Sequence, residues 1–329
     1  MVFLDVDQED RALVLKRFLD AAVIDRAPAE AEIPSICRDA EIVSTFIRTP
    51  FSKGTIGKLP ALKLLLTRSV GFDHIDVAAC TERGIVVCNV PDYGSHVIAE
   101  HVFALLLSTL RHIHEGSARV EGGVFDYHGL RGIALRGKTI GIVGTGRIGR
   151  RVAQIAHGFG MKILAVDQCR VTELTDLLGV QYATLEELLG ASDIITLHVP
   201  ETPETKHMID GRSIALMKDG VILINTARGS LIDSGALLTA LQSGKMGHAL
   251  LDVLEHEQNF EENRTLVSHP RVVTTPHIAF YADDSMRNMY VDCFQSIDQW
   301  RASGKPEHVV KPLSIVCDLP GVKRMGSGK

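Results

Sequence analysis

The chain has 329 residues, of which 45% are hydrophobic and 23% are charged, and its formal net charge is −5 at pH 7. This length suits two domains, and this composition suits a soluble protein with sizeable cores. The charge argues against nucleic acid or an anionic membrane surface as a partner. The longest apolar run, residues 102–107, is too short to span a bilayer, and the first residues lack the basic segment of a signal peptide.

Cysteine usage predicts the redox compartment. The six cysteines are scattered without a CxxC pair: Cys37, Cys80, Cys88, Cys169, Cys293 and Cys317. We therefore expect free thiols in a reduced, cytoplasmic protein. The chain also lacks an HExxH motif, so no metal site is expected.

Apolar runs of strand length alternate with helical patterns along nearly the whole chain. The predicted strands are residues 2–6, 41–46, 63–68, 85–90, 139–144, 162–167, 193–199, 221–226, 248–253 and 272–276. Such alternation predicts parallel sheets that are covered by helices on both faces. Because ten strands exceed one comfortable sheet, the expected fold is α/β with two doubly wound, Rossmann-like or flavodoxin-like domains.

A long apolar segment separates the two sets of strands. Residues 95–115 contain one glycine-free, proline-free helical pattern, which predicts a buried helix that joins the domains. Residues 116–137 are rich in Gly and Arg and are expected to be irregular. Together with the apolar helix, this segment predicts a contact surface for a second subunit.

The sequence IGIVGTGRIGRRVAQIAHGFGMKILAVD, residues 140–167, contains the most informative pattern. In a strand–turn–helix of this kind, Gly144 allows the tight turn, Gly146 lets a pyrophosphate approach the backbone, and Gly149 lets the helix pack on the strand. The helix N-terminus favours the pyrophosphate charge. Asp167, which is 167 − 149 = 18 positions after the last glycine, is suited to accept a ribose hydroxyl and to repel a 2′-phosphate. The pattern predicts NAD rather than NADP; a glycine-rich turn of another α/β protein is the alternative.

Three polar segments follow predicted strands in the second half, and they contain Arg228, Glu257 and His277. Since parallel strands end at one edge of a sheet, these side chains are expected to converge near the dinucleotide. Reduction of a 2-keto acid needs a cation for the carboxylate and a proton donor for the developing alkoxide. Arginine suits the first task and histidine the second, while a carboxylate beside the imidazole orients it and favours the imidazolium.

Four segments in the same order resemble the D-isomer-specific 2-hydroxyacid dehydrogenase family. They are NVPDYGSHVIAEH (89–101), NTARGSLID (225–233), LDVLEHE (251–257) and TTPHIAFY (274–281). The resemblance covers nearly the whole chain and implies that Arg228, Glu257 and His277 are catalytic, with Glu257 rather than Glu255 as the carboxylate. It further implies a homodimer that forms through the cofactor domain.

The resemblance also implies the remaining cofactor contacts. Besides the glycines and Asp167, these are Arg147, Ile148, Val199, Pro200, Thr205, Thr226, Ala227, Arg228 and Asp252. Arg147 and Ile148 would lie at the pyrophosphate turn. The backbone near Arg228 and the carboxylate of Asp252 would hold the nicotinamide amide.

For the substrate, the resemblance implies that the N–H groups of Val70 and Gly71 bind the carboxylate and that Tyr93 and Phe280 face the reacting molecule. It divides the chain into a discontinuous substrate domain and an inserted NAD-binding domain. The predicted bounds are 1–94 and 282–329 for the former and 95–281 for the latter.

The two aromatic residues resemble the D-lactate dehydrogenase branch most, which implies pyruvate and D-lactate as the substrate pair. A glyoxylate, hydroxypyruvate or bulkier 2-keto acid reductase is an alternative within the enzymes. An NAD-sensing co-repressor that binds peptides is an alternative of another class, because such relatives keep the Arg, Glu and His residues.

Overall fold

The computed structural model describes residues 1–257, 259–310 and 322–324. The strands are β1 (Val2–Phe3), β2 (Ala22–Val23), β3 (Ile42–Thr45), β4 (Leu64–Thr67), β5 (Val86–Cys88), β6 (Thr139–Val143), β7 (Lys162–Val166), β8 (Cys169–Val171), β9 (Gln181–Tyr182), β10 (Ile194–Leu197), β11 (Val221–Asn225), β12 (Met246–Leu251), β13 (Val272–Thr274) and β14 (Val322–Arg324). The helices are α1 (Gln8–Arg17), α2 (Ile33–Cys37), α3 (Lys53–Gly57), α4 (Val77–Glu82), α5 (Ser95–Leu110), α6 (Ile113–Glu121), α7 (Arg147–Gly158), α8 (Thr172–Leu178), α9 (Leu185–Ala191), α10 (Gly211–Leu216), α11 (Ser234–Ser243), α12 (Phe260–Val267) and α13 (Asp283–Ser303).

The chain forms two units. The first contains Met1–Gly94 and the described part of Ala282–Ile315, and the second contains Ser95–Tyr281 and the described part of Val316–Lys329. That the first unit binds substrate and the second binds cofactor stays a prediction.

The first unit is built on a five-stranded sheet in the order β2-β1-β3-β4-β5. Every pairing in it is parallel. All residues of β3 and β4 are buried, as expected of central strands that helices cover on both faces. The apolar core combines side chains of these strands with those of the helices, among them Ile33, Ile56 and Cys80.

The second unit is built on a seven-stranded parallel sheet in the order β13-β12-β11-β10-β6-β7-β9. The chain first adds β7 and β9 on one side of β6 and then returns to add β10 on the other side. This reversal is a topological switch point, where the carboxyl ends of adjacent strands leave a crevice for a ligand. Separate apolar cores cover the two faces, one around Val102 and Val152 and the other around Leu188 and Leu237.

The predicted α/β class with parallel sheets is confirmed, and all ten predicted strands are present with ends shifted by a few residues. Four further strands, β2, β8, β9 and β14, were not predicted. Each has two or three residues, which is too short for an alternating or apolar pattern to stand out.

The single helix that was predicted for residues 95–115 is wrong at its end. Helix α5 stops at Leu110, His112 takes the left-handed conformation with φ of 51°, and α6 continues to Glu121 inside the segment that was expected to be irregular. The carbonyl of Leu110 accepts a hydrogen bond from the N–H of Ile133 (3.0 Å). A contact from a residue so far along the chain ends the helix, and no local pattern reveals it.

The expectation of six free thiols is wrong, because Cys169 is disulfide-bonded. Four other cysteines are free and buried: Cys37, Cys80, Cys88 and Cys293. Cys317 lies outside the described residues.

Strand β14 pairs antiparallel with β8 of the second unit. The predicted domain bounds had placed all of residues 282–329 in the substrate domain. Within the described residues, no helix is both long and apolar enough to cross a membrane.

Candidate active site

The turn after β6 has the geometry that its three glycines predict. Gly144 has φ of +96°, and a Cβ there would lie 2.7 Å from the carbonyl oxygen of His198. A Cβ on Gly149 would lie 1.9 Å from the carbonyl oxygen of Gly144, so the first turn of α7 packs directly on the strand end. A Cβ on Gly146, by contrast, would have no described heavy atom within 4 Å. The protein leaves this side open, as a cradle for a pyrophosphate requires.

The beginning of α7 adds hydrogen-bond donors to this turn. Its N-cap is Gly146, which has no side chain to satisfy the first N–H groups of the helix. Arg147 is exposed and Ile148 is half-buried at this end. Uncapped N–H groups and the positive end of the helix dipole suit an anionic ligand.

Asp167 follows β7 and is bound to the same turn. Its Oδ2 accepts hydrogen bonds from the N–H (2.5 Å) and the hydroxyl (3.1 Å) of Thr145. Its Oδ1 accepts one from the N–H of Cys169 (2.8 Å). The carboxylate is therefore fixed beside the glycines rather than free to rotate.

Buried polar atoms without partners lie at the next two strand ends. Thr226 Oγ1 after β11 and His198 Nδ1 after β10 are buried, and no described residue hydrogen-bonds to either atom. Burial lowers the pKa of His198 to about 3, so its ring is neutral. Buried polar groups are normally hydrogen-bonded, so orphaned atoms at the switch point fit a polar ligand such as a dinucleotide.

The remaining predicted cofactor residues follow β10. Val199 is half-buried and Pro200 is exposed. The hydroxyl of Thr205 donates to the carbonyl of Pro200 (2.7 Å) and accepts from the N–H of Thr202 (2.8 Å). Thr205 thus fixes this loop, and its predicted approach to the nicotinamide stays a prediction.

A buried amide shapes the turn that carries Arg228. Asn225, the last residue of β11, has no exposed surface. Its Oδ1 accepts from the N–H of Ala227 (3.0 Å), and its Nδ2 donates to the carbonyl of Arg228 (2.7 Å). The guanidinium of Arg228 donates in turn to the carbonyl of Ala227 (2.7 Å). Asn225 belongs to the NTARGSLID motif, but its function in shaping the turn was not predicted.

Two turns pack backbone against backbone next to this arginine. A Cβ on Gly229 would lie 2.0 Å from the carbonyl carbon of Leu254. Only glycine permits this approach, and it brings the Arg228 turn beside the segment that carries Glu257. The positive charge of Arg228 is one of the influences that lower the pKa of Glu257.

His277 stands on a turn that is held by a buried carboxylate. It has φ of 55°, in the left-handed region. The side chain of Asp252 is fully buried, and its oxygens accept from the hydroxyl of Thr275 (2.5 Å) and from the N–H groups of Ile278 (2.8 Å) and Ala279 (2.9 Å). The structure thus uses the Asp252 carboxylate to shape the histidine turn, and its predicted contact with the nicotinamide amide stays a prediction.

The structure brings His277 and Glu257 together as a pair. Nδ1 of His277 donates to Oε2 of Glu257 at 3.1 Å, and the side chains are 24% and 38% exposed. Burial raises the pKa of Glu257, but the hydrogen bond and charge of His277 and the charge of Arg228 outweigh it, so the net pKa is lowered. Glu257 therefore stays ionised at neutral pH and leaves Nε2 of the ring available for other chemistry.

The neighbouring glutamate has a different partner. Oε1 of Glu255 lies 2.6 Å from Nε2 of His207. Burial raises the pKa of Glu255, and the hydrogen bond from His207 is the main influence that lowers it overall. Asn263, which is 3% exposed on α12, donates to the backbone carbonyl of Glu255 (2.7 Å) and fixes this segment. The two glutamates thus serve separate histidines.

In the first unit, the loop after β4 is fixed from the carbonyl side. Nδ2 of Asn89 donates to the carbonyl of Val70 (2.8 Å), and the hydroxyl of Ser69 donates to that of Gly71 (2.6 Å). Neither the Val70 nor the Gly71 N–H donates a hydrogen bond to a described residue. Donors held in this way suit a carboxylate. Asn89 was missed as a positioning residue, because nothing in a local pattern shows what its side chain meets.

The two predicted aromatic residues differ in their surroundings. Tyr93, in the first unit, is only 4% exposed. Phe280, in the second unit, is half-buried, and its ring meets that of His277 edge to face with centroids 6.2 Å apart.

Comparisons with known proteins give consistent results. The model of the D-isomer specific 2-hydroxyacid dehydrogenase NAD binding domain matches residues 103–279. A glyoxylate reductase of Aeropyrum pernix is 34% identical over 317 residues, which cover 94% of each chain. A D-3-phosphoglycerate dehydrogenase of Methanocaldococcus jannaschii is 38% identical over 270 residues, which are 82% of this chain and 51% of that protein. The solved structure of a D-lactate dehydrogenase from Aquifex aeolicus, in complex with NAD and lactic acid, has 36% sequence identity and a TM-score of 0.85, covering 92% of this chain and 95% of that one.

Replacing Gly229 tests the contact between the two turns. Gly229→Ala should force them apart, because its Cβ would lie 2.0 Å from Leu254. We expect kcat/KM for NADH-dependent reduction of a 2-keto acid to fall at least about tenfold, since small misplacements of reacting groups are costly. The control is Gly158→Ala, where no described heavy atom lies within 4 Å of the added Cβ. A folded Gly229→Ala protein with the parent's kcat/KM would contradict this interpretation.

Proposed function

The chain belongs to the NAD-dependent D-2-hydroxyacid dehydrogenase family, and from this premise we propose that it transfers a hydride between NADH and a small 2-keto acid, with pyruvate and D-lactate as the substrate pair. The observation that carries the proposal is the His277–Glu257 pair beside the Arg228 turn. A cation, a proton donor and an orienting carboxylate are the three groups that this reaction needs.

The proposed mechanism assigns one task to each group. Bound NADH supplies the hydride. The guanidinium of Arg228 binds the substrate carboxylate and polarises the keto oxygen. His277 gives a proton from Nε2 to the developing alkoxide, while Glu257 holds Nδ1 and stabilises the imidazolium. In the reverse direction the neutral ring accepts the proton.

For the cofactor, we propose that the turn from Gly144 to Gly149 and the uncapped start of α7 bind the pyrophosphate. Asp167 would accept a ribose hydroxyl. The open side of Gly146 and the orphaned hydroxyl of Thr226 support this assignment. From the resemblance to the family we propose four further contacts: Val199, Pro200, Thr205 and Ala227.

The choice of pyruvate rests on the aromatic residue beside the catalytic histidine. The edge-to-face contact of Phe280 with His277 favours a small apolar side chain on the substrate. The relatives include a glyoxylate reductase, so glyoxylate and hydroxypyruvate are the alternatives within this reaction. Loss of NADH absorbance with a panel of 2-keto acids tests the choice, and a higher kcat/KM for glyoxylate than for pyruvate would overturn it.

We also propose a homodimer that forms through the second unit, in a cytoplasmic location. Several apolar side chains of α6 and the following segment are exposed: Ile113 (59%), Val120 (51%), Val124 (52%), Phe125 (94%) and Tyr127 (79%). Clustered exposed apolar residues are typical of an interface, and two-fold dimers are the commonest assembly. The four free, buried cysteines support the reducing compartment of this proposal.

The acid–base pair predicts a shift in the pH profile. Reduction needs a protonated His277, and Glu257→Gln removes the charge that favours it. The pH above which kcat/KM for pyruvate declines should therefore be lower in Glu257→Gln than in the parent. Because the pKa of Glu257 is lowered, its negative charge should continue to stabilise the imidazolium of His277 at pH values below the usual pKa of a glutamate. His277→Ala should lose about 100-fold or more at every pH.

Two variants complete that experiment. Glu255→Gln is the matched control, because Glu255 pairs with His207, and it should leave the pH profile unchanged. Arg228→Ala should raise KM and lower kcat together, because one cation serves the carboxylate and the carbonyl. An unshifted profile in Glu257→Gln, or full activity without His277, would show that these residues are not the acid–base couple.

Cofactor preference is expected to depend on Asp167. The parent should use NADH better than NADPH, and Asp167→Ser should narrow the difference in kcat/KM, because a charge that repels a 2′-phosphate is removed. Equal use of both cofactors by the parent would refute this assignment.

The interface is tested by its most exposed side chain. Phe125→Asp should give a monomer in light scattering at micromolar concentration, since a charge cannot be buried in an apolar interface without a large cost. Leu177→Asp, at an apolar residue of α8 that is 67% exposed, should leave the dimer intact. A parent protein that is already monomeric would rule out the proposed assembly.

A further inference from the structure

We propose that Tyr182 is a positioning residue for cofactor selection: through Thr145 it fixes the carboxylate of Asp167 and thereby sharpens the preference for NADH over NADPH. This inference rests on the proposed contact between Asp167 and the ribose. Tyr182 lies on β9, outside the glycine motif and the four segments that resemble the family.

A chain of three side chains links Tyr182 to the carboxylate. The hydroxyl of Tyr182 donates to Thr145 Oγ1 (3.0 Å), and the hydroxyl of Thr145 donates to Asp167 Oδ2 (3.1 Å). Tyr182 accepts a hydrogen bond from the N–H of Val171 (3.0 Å). An ionised carboxylate only accepts and each hydroxyl has a single proton, so the direction of every bond is determined. All the protons point towards Asp167.

The number of acceptor sites on Asp167 explains how the hydrogen-bonded chain can affect cofactor selection. A carboxylate has about four lone-pair sites. Thr145 occupies two of them on Oδ2, through its N–H and its hydroxyl, and the N–H of Cys169 occupies one on Oδ1. One site on Oδ1 is left for a ribose hydroxyl. A carboxylate held by three donors cannot rotate away from a 2′-phosphate, so it rejects that group by charge repulsion.

The position of Tyr182 is itself fixed by the sheet. Its Cα is paired in register with Ala165 of β7, two residues before Asp167. The ring packs against the core that includes Ala165 and Val180, and the guanidinium of Arg170 lies over it, 5.7 Å from its centroid. Tyr182→Phe keeps the ring, its packing and the cation–π contact, and removes only the hydroxyl. This variant therefore isolates the hydrogen-bonded chain.

The experiment measures dissociation constants of NADH and NADPH by titration calorimetry on the full-length protein without substrate. Tyr182→Phe should raise Kd for NADH by about threefold to tenfold, the usual value of one hydrogen bond, and should change Kd for NADPH less. The ratio of Kd for NADPH to Kd for NADH, which measures the preference for NADH, should therefore fall. Thr145→Val removes the hydroxyl that contacts Asp167 and should lower this ratio further. Thr145→Ser keeps the hydroxyl and should keep the parent's ratio.

A double-mutant cycle separates positioning from a general structural effect. In an Asp167→Ala background, Tyr182→Phe should change neither constant, because the carboxylate on which it acts is absent. An unchanged ratio in Tyr182→Phe, an equal loss for both cofactors, or an undiminished effect without Asp167 would each overturn the inference. If Tyr182→Phe does not fold, equal ratios in Thr145→Val and Thr145→Ser would overturn it as well.

The same data distinguish this inference from the assignment on which it rests. Asp167→Ala alone tests the ribose contact, and an unchanged ratio there would refute that contact. A changed ratio in Asp167→Ala together with an unchanged one in Tyr182→Phe would refute only the positioning by Tyr182. The substrate plays no part in these measurements, so they do not depend on the choice of pyruvate.

Discussion

The buried carboxylate of Asp252 holds the turn on which the candidate acid–base residue stands. His277 takes a left-handed backbone conformation, which costs a non-glycine residue on the order of 1–3 kcal/mol. Asp252 accepts hydrogen bonds from Thr275, Ile278 and Ala279, and a bond to a charged group contributes about 1.5–3 kcal/mol. These three bonds therefore stabilise the strained turn. Asp252 thus holds the backbone of the His277 turn, from which Glu257 orients the imidazole.

On the adjacent strand, a buried side-chain amide holds the next turn in the same way. Asn225 ends β11, and its carbonyl accepts the N–H of Asp252 (2.9 Å), so the two buried polar residues lie side by side at one sheet edge. Asn225 shapes the Arg228 turn, and Gly229 lets this turn approach the segment with Glu257. Parallel register therefore brings residues together that are far apart in sequence. Rigid strand ends supply the positions, and the short turns supply the reactive groups.

The cofactor side follows the same principle. Asp167 is fixed by donors of the glycine turn, and Tyr182 supports one of those donors from a short edge strand. On both sides of the switch point, a polar side chain behind the proposed contact residue controls its position. This arrangement predicts that conservative changes behind the reactive groups alter selectivity or pH dependence more than they alter the fold.

The sequence by itself determined ten of the fourteen described strands, the glycine turn and the family, because these depend on local periodicity and on motifs a few residues long. It named Arg228, Glu257 and His277, and the tertiary structure then supplied the contact between the last two. Only the tertiary structure decided three other features: the pairing of the glutamates with the histidines, the end of α5 and the bonding of Cys169. Tyr182 belongs to the same group. Each of these features depends on a partner many residues away, and local periodicity contains no information about such a partner.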